Sequence, residues 1–203
     1  MRDLASGVAG SGVIKNEKRS ISGFTAIDAS GAFDIDVVCQ KEPSLELEGD
    51  DNLLSLVKTE VRGSTLFISQ ERPFSVKKAI RVKLTVPNIE SISSSGAGNF
   101  HVTQIKNEKL KIDTSGASTL EMSGETVALN LDMSGASKVD TERLRAARVK
   151  ISLSGAGKAT VFASEELSAD VSGAGSVTYA GDPKTVNKNV SGVGSVSKKK
   201  TAA

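Results

Sequence analysis

Residues 110–122 read Leu-Lys-Ile-Asp-Thr-Ser-Gly-Ala-Ser-Thr-Leu-Glu-Met, and this stretch decides the fold. Apolar residues alternate with mostly polar ones on both sides of the central Ser-Gly-Ala, a pattern typical of two half-buried β-strands. Glycine permits the backbone angles of a sharp corner between the two strands. We expect the alanine to point its methyl group inward, because stacked corners leave little room there.

The same unit recurs along the chain at intervals of 20, 19, 20, 18 and 19 residues, and the last copy has valine in place of alanine. A unit of two strands cannot bury its apolar face alone, so it must stack on its neighbours. The sequence therefore predicts an all-β chain, folded as a right-handed parallel β-helix, a solenoid with coils of about 19 residues. The predicted structural corners are Ser30 and Gly31, Ser95 and Gly96, Ser115 and Gly116, Ser134 and Gly135, Ser154 and Gly155, Ser172 and Gly173, and Ser191 and Gly192.

The region before Ser95 is rich in strand patterns but irregular. The first corner, at Ser30, precedes Ser95 by 65 residues, which is room for about three longer coils. We predict a flexible N-terminal segment over residues 1–12 and a disordered tail over residues 198–203. A single β-helical domain is predicted over residues 13–197, with irregular coils at 13–90 and regular coils at 91–197.

Composition excludes several classes of function. The chain has one cysteine and one histidine, so neither a disulfide framework nor a Cys-rich or three-histidine metal centre is possible. A net charge of +2 gives no general attraction to nucleic acid. No apolar run is long enough to span a membrane as a helix. We predict no catalytic, cofactor-binding or metal-binding residues.

A column of polar residues two positions before each corner is the strongest candidate for a ligand-binding face. Its acidic members include Asp113, Asp132 and Asp170. On stacked coils Asp113 and Asp132 would stand about 5 Å apart, a separation that suits a hard cation or the carboxylate pair of a retaining glycosidase. The alternative is that polar residues simply occupy the solvated face of each strand.

Other motifs are explained by the architecture. Each Gly-x-Gly element precedes a strand pattern and is repeated, whereas dinucleotide binding needs one such turn before a helix. The Ser-x-x-Lys matches at Ser75 and Ser195 lack the supporting motifs of serine acylases. We expect His101 at the surface and Cys39 in the core, from their phases in the alternation.

Several ordered motifs give the chain a family resemblance. These motifs are the repeated Ser-Gly-Ala-Gly/Ser, Gly10-Ser11-Gly12-Val13, residues 22–27 (SGFTAI), residues 49–54 (GDDNLL) leading through residues 59–62 (TEVR), and Leu66-Phe67-Ile68. Over residues 10–197 the chain resembles the putative auto-transporter adhesin, head GIN domain family. The resemblance implies a β-helical fold in a bacterial secreted or envelope protein, often a lipoprotein, and it brings no catalytic residues.

We therefore expect a non-enzymatic extracytoplasmic protein for binding, adhesion or scaffolding. The expected partner is an envelope or surface ligand, a glycan or a protein, with homo-oligomers as a further option. We expect a native signal to precede Met1. A polysaccharide lyase or glycoside hydrolase that uses the outer-face carboxylates is the alternative function, and a self-assembling β-helical scaffold is a third.

Overall fold

The computed structural model describes residues 7–76 and 78–200 and consists almost entirely of β-structure, with 69% strand and 2% helix. The strands are β1 Val8–Ala9, β2 Ile14–Arg19, β3 Ala26–Ala29, β4 Phe33–Val38, β5 Ser44–Asp50, β6 Val57–Arg62, β7 Thr65–Gln70, β8 Phe74–Ser75, β9 Ile80–Thr85, β10 Ser91–Ser94, β11 Asn99–Thr114, β12 Thr119–Gly135, β13 Lys138–Gly155, β14 Lys158–Gly173, β15 Ser176–Ala180, β16 Thr185–Gly192 and β17 Ser195–Lys198. The one helix within these described residues is α1, Asp51–Leu54. The strands form a β-solenoid of about five turns, which confirms the predicted fold class.

Two strand faces meet at each Ser-Gly-Ala corner. Face A precedes the corner and contains β7, β3, β10, the second halves of β11–β14, and β16. Face B follows the corner and contains β9, β4, the first parts of β11–β14, β15 and β17. The strands within each face are parallel, and the long strands continue from face B to face A through a break in register. Every predicted corner lies at this junction of the two faces.

The N-terminal strands do not stack in sequence order. Strand β3 lies between β10 and β7, and β4 lies between β11 and β9. Strands β7 and β9 therefore form a coil that stacks on the outer side of the coil formed by β3 and β4, although they come later in the chain. Strand β5 pairs antiparallel with β9 and β2, β6 pairs antiparallel with β7, and the short strands β1 and β8 pair in parallel. Alternation in a sequence identifies strands, but it does not give their partners or their direction.

The core consists of columns of aliphatic side chains that repeat from coil to coil. The column three residues before each corner contains Ile92, Ile112, Leu131, Ile151 and Ala169, all of them buried. Equivalent positions lie opposite one another in the parallel register. Each such side chain contributes about 1–3 kcal/mol by leaving water, so small residues suffice to stabilise a chain with only 3% aromatics.

The corner alanines point outward, which corrects the expectation that their methyl groups fill the interior. Ala117, Ala136 and Ala156 are exposed, whereas the residue after each alanine is buried. In two corners that buried residue is a serine, and Ser118 Oγ donates to Gly96 O at 3.1 Å. The strand alternation does not continue through the corner, because the chain turns there. As a result, the residue that follows Ser-Gly-Ala takes the inward position instead of the alanine.

Residues near both ends of the chain contact the rest of the fold. Residues 8–9 pair with β8, and Gly12 N donates to the Asp50 carboxylate at 2.6 Å. Lys198 belongs to β17, and Lys199 Nζ lies 2.5 Å from Glu142. The flexible segment over residues 1–12 and the disordered tail over residues 198–203 stay predictions. Residues 1–6 and 201–203 of those two segments lie outside the described residues.

Candidate functional site

A shallow groove of about 400 Å³ runs along face A next to the corners. Two columns of outward side chains border this groove, one at the position two before each corner and one at the corner serine. The first column, which we call the acidic column, contains Ser93, Asp113, Asp132, Ser152, Asp170 and Asn189. The second, which we call the serine column, contains Ser115, Ser134, Ser154, Ser172 and Ser191. The groove is thus polar along both sides.

Parallel pairing places the members of the acidic column directly opposite one another. Asp113 pairs with Asp132, Asp132 with Ser152, and Ser152 with Asp170. Neighbouring strands lie about 4.8 Å apart, so the column repeats at that interval. The structure therefore brings all three predicted aspartates into one groove. Asp113 and Asp132 are neighbours, and Ser152 separates Asp132 from Asp170.

The position of the serine column on the groove is a feature that the sequence prediction missed. The corner serines were assigned only an architectural role, yet Ser115, Ser134 and Ser154 are exposed on the groove. A signal for this was present in the sequence. Each serine lies two residues after a member of the acidic column, and residues two apart on a strand share a face.

The charges of the groove are exposed and partly balanced. Lys111 Nζ lies 3.0 Å from the Asp113 carboxylate. This hydrogen bond raises the pKa of Lys111, and the charges of Asp113 and Asp132 add to the effect. Asp113 is half-buried and Asp132 is exposed. The groove therefore presents solvated carboxylates and hydroxyls, which are groups suited to hydrogen bonding with a polar ligand.

The spacing of the aspartates also bears on catalysis and on metal binding. Asp113 and Asp132 lie on neighbouring strands whose backbones are about 5 Å apart, a spacing that suits the carboxylate pair of a retaining glycosidase. Among residues 7–76 and 78–200, no group of three or more His, Cys, Asp or Glu side chains is placed to hold a metal ion.

The remaining sequence candidates lie away from the groove. His101 is exposed on face B, with Nδ1 4.0 Å from the Glu121 carboxylate. Cys39 is fully buried in the core, and burial raises the pKa of its thiol to about 11. The Gly-x-Gly elements at residues 96–98 and 155–157 lead into β11 and β14. A strand after the turn offers no helix N-terminus for a phosphate, which nucleotide binding of this kind requires.

Comparison with known proteins identifies the family of this chain. The family model of the putative auto-transporter adhesin, head GIN domain, matches residues 23–183. The chain belongs to this family. The match covers the irregular N-terminal coils as well as the regular ones, so the family signature includes the coil that lies out of sequence order.

Solved structures share the fold of this head GIN domain protein. A putative adhesin from Bacteroides fragilis has a TM-score of 0.77 at 24% identity, over 95% of this chain and 100% of that chain. A putative adhesin from Parabacteroides merdae has a TM-score of 0.64 at 22% identity, over 97% and 100%. A putative lipid binding protein from Parabacteroides distasonis has a TM-score of 0.57 at 19% identity, over 95% and 99%. At these identities the likeness shows the fold alone.

Two further searches, for curated relatives and for membrane-spanning helices in the described residues, found no match. No curated protein matches the chain significantly. Among the residues that the structure describes, no helix has the length and apolar character needed to cross a membrane.

Proposed function

We propose that this head GIN domain protein is a non-enzymatic, adhesin-like protein that binds an extended ligand along the groove of face A. The observation that carries this proposal is the pair of columns, acidic and serine, that run side by side through successive coils in direct register. Membership of an adhesin-like family supports a binding role over a catalytic one.

The chemistry of the two columns favours a hydroxyl-rich ligand. A serine hydroxyl both donates and accepts hydrogen bonds, whereas an ionised aspartate only accepts them. A glycan offers many hydroxyl donors to the carboxylates, and it also offers acceptors to the serines. A protein segment with an exposed backbone is the second ligand class, because its N–H groups bond equally well to carboxylates.

Repetition gives this groove its binding strength. Each coil presents one residue of the acidic column and one of the serine column, and this pair recurs about every 4.8 Å. An extended ligand can therefore make a similar contact on each coil that it crosses. Contacts that are individually weak add up when they are made by one continuous ligand, because later contacts form at high effective concentration. A stiff β-solenoid holds the aspartate and serine side chains in place before the ligand arrives, which lowers the entropy cost of binding.

The location follows from the same reasoning. An adhesin-like protein meets its ligand outside the cytoplasm, so we place this protein in the bacterial envelope, at the cell surface or among secreted proteins. A lipid anchor at the outer membrane would be compatible with this placement.

A binding screen with matched variants tests the proposal. The wild-type protein is screened against an array of glycans and isolated envelope components, together with the triple variant Asp113→Asn, Asp132→Asn, Asp170→Asn. The control is Glu108→Gln, Glu125→Gln, Glu165→Gln, which removes the same charge from exposed residues away from the groove.

The two triple variants separate groove binding from a general charge effect. We expect the aspartate variant to lose affinity at least about tenfold for the ligands that wild type binds, since each charge-assisted hydrogen bond contributes more than a neutral one. The control variant should bind as wild type does. Equal binding by wild type and the aspartate variant would exclude the groove as the ligand face.

A further inference from the structure

The last coil of the solenoid leaves two strand edges open. Strand β16 pairs with β14 on one side, and β17 pairs with β15. Within the described residues no strand covers the other side of either one. Their outer N–H and C=O groups are therefore available to a further strand, which is the basis of recognition by strand addition.

A lysine interrupts the apolar interior at this open end. Lys188 lies opposite Ala169 and so continues the column of Ile92, Ile112, Leu131, Ile151 and Ala169. Its neighbours in the inward phase are Val186 and Val190, and Val190 is 41% exposed. The Lys188 ammonium stands 4.9 Å from the centre of the Tyr179 ring and donates to Val196 O at 3.3 Å. The interior of this coil thus presents apolar, cationic and apolar side chains in turn.

The surroundings of the open end are basic. Lys198 pairs with Asp182, and Lys199 pairs with Glu142, so those charges are balanced by the chain itself. Lys184 and Lys188 are exposed there, and no ion pair involves either one within residues 7–76 and 78–200. An acidic partner would complement this charge.

A second copy of the chain does not fit this end. The outermost strands at the opposite end are β2 and β6, which each carry more basic than acidic residues. Stacking the two ends head to tail would bring lysines and arginines against Lys188. Joining two C-terminal ends would bring Lys188 towards its own copy. Like charges opposed across paired strands are destabilising, so neither arrangement is favoured.

We propose that the open end of β16 binds an extended segment of another protein in which one acidic residue lies between two apolar ones. The segment would add to the edge of β16 as a further strand. Its apolar side chains would cover Val186 and Val190, and its carboxylate would lie over Lys188. The pattern apolar, any residue, acidic, any residue, apolar reads the same in both directions, so it serves parallel and antiparallel pairing.

A charge exchange tests this proposal on the full chain. The probes are two labelled, capped peptides with the central sequences Val-Thr-Glu-Thr-Val and Val-Thr-Lys-Thr-Val. The proteins are wild type, Lys188→Glu, Lys188→Gln and the control Lys158→Glu, which changes an exposed lysine of face B in the middle of the solenoid. Circular dichroism first verifies that each variant is folded, and fluorescence anisotropy then measures binding.

The expected result is a reversal of preference. Wild type and Lys158→Glu should bind the glutamate peptide at least about tenfold more tightly than the lysine peptide, and Lys188→Glu should prefer the lysine peptide. Lys188→Gln should show little preference, and hydrogen exchange should protect amides of β16 in the complex. The proposal is overturned if wild type binds neither peptide, if it binds both equally, or if the protected amides lie elsewhere.

Discussion

A β-carbon on Gly155 would lie 2.6 Å from the carbonyl oxygen of Gly135 in the preceding coil. That carbonyl accepts the hydrogen bond from Ala156 N at 3.0 Å, so the two corners are held together at this point. Gly155 also has a φ of +120°, a conformation that side chains with a β-carbon rarely adopt. Close approach and backbone angle therefore both require glycine at this corner.

The variant Gly155→Ala should lower the free energy of unfolding by about 1–3 kcal/mol, because the added methyl group forces the corners apart and strains the backbone. Urea unfolding followed by circular dichroism measures this change. The control is Gly23→Ala, since a β-carbon there meets no heavy atom within 4 Å. Equal losses in the two variants would contradict the account of the corner.

Periodicity explains why much of the solenoid is predictable from its sequence. The two-residue period assigns Ile112 inward and Asp113 outward, and the recurrence of about 19 residues brings Asp113 opposite Asp132. Two features lay beyond this reasoning. The chain order does not show that β7 lies next to β3, and the corner breaks the alternation and turns Ala117 outward.

An ion pair between β5 and β9 should make stability depend on pH. Lys83 Nζ lies 2.7 Å from the Glu48 carboxylate, and this contact holds the pKa of Glu48 below its ordinary value. In the unfolded chain the pKa of a glutamate is about 4.3. Because the pKa of Glu48 is lower in the folded protein, its ionised form stabilises the fold above that pH. This contribution is lost as the pH falls through the pKa of the folded protein. Lys83→Gln should therefore melt below wild type near neutral pH.

The melting difference between wild type and Lys83→Gln should shrink once the pH falls below about 4. Differential scanning calorimetry across an acid pH series measures it. Lys158→Gln, on an exposed lysine of face B, serves as the control and should show no such trend. A difference in melting temperature that stays constant through the acid range would show that the ion pair with Glu48 is not how Lys83 stabilises the fold.

The single cysteine should be inert in the folded protein. Cys39 is fully buried, and its pKa of about 11 leaves on the order of a thousandth of the thiol ionised near pH 8. A chromogenic disulfide reagent should therefore label the native protein very slowly, and it should label one thiol per chain after unfolding in guanidinium. Rapid labelling of the native protein would show that the core around β4 opens readily.

The groove should not cleave polysaccharides, although Asp113 and Asp132 have a suitable spacing. A retaining glycosidase keeps one carboxylic acid protonated, commonly by burying it in an apolar pocket. Asp132 is instead exposed, and Asp113 is paired with Lys111. Incubation with a panel of bacterial polysaccharides should release no reducing or unsaturated ends. Release that is abolished by Asp113→Ala or Asp132→Ala would establish the enzymatic alternative.

Lys188 should also determine whether copies of this protein associate end to end. Replacing it by leucine in Lys188→Leu completes the apolar column and removes the charge that opposes a second copy, so the open edge of β16 carries an uninterrupted row of apolar side chains. We expect wild type to stay monomeric and this variant to form dimers or longer assemblies as its concentration rises, measured by light scattering after gel filtration. Lys158→Leu, which adds the same side chain to face B, should behave as wild type does. If Lys158→Leu associates to the same extent, the cause is the added apolar surface and not its position. If neither variant associates, Lys188 is not what prevents association at this end.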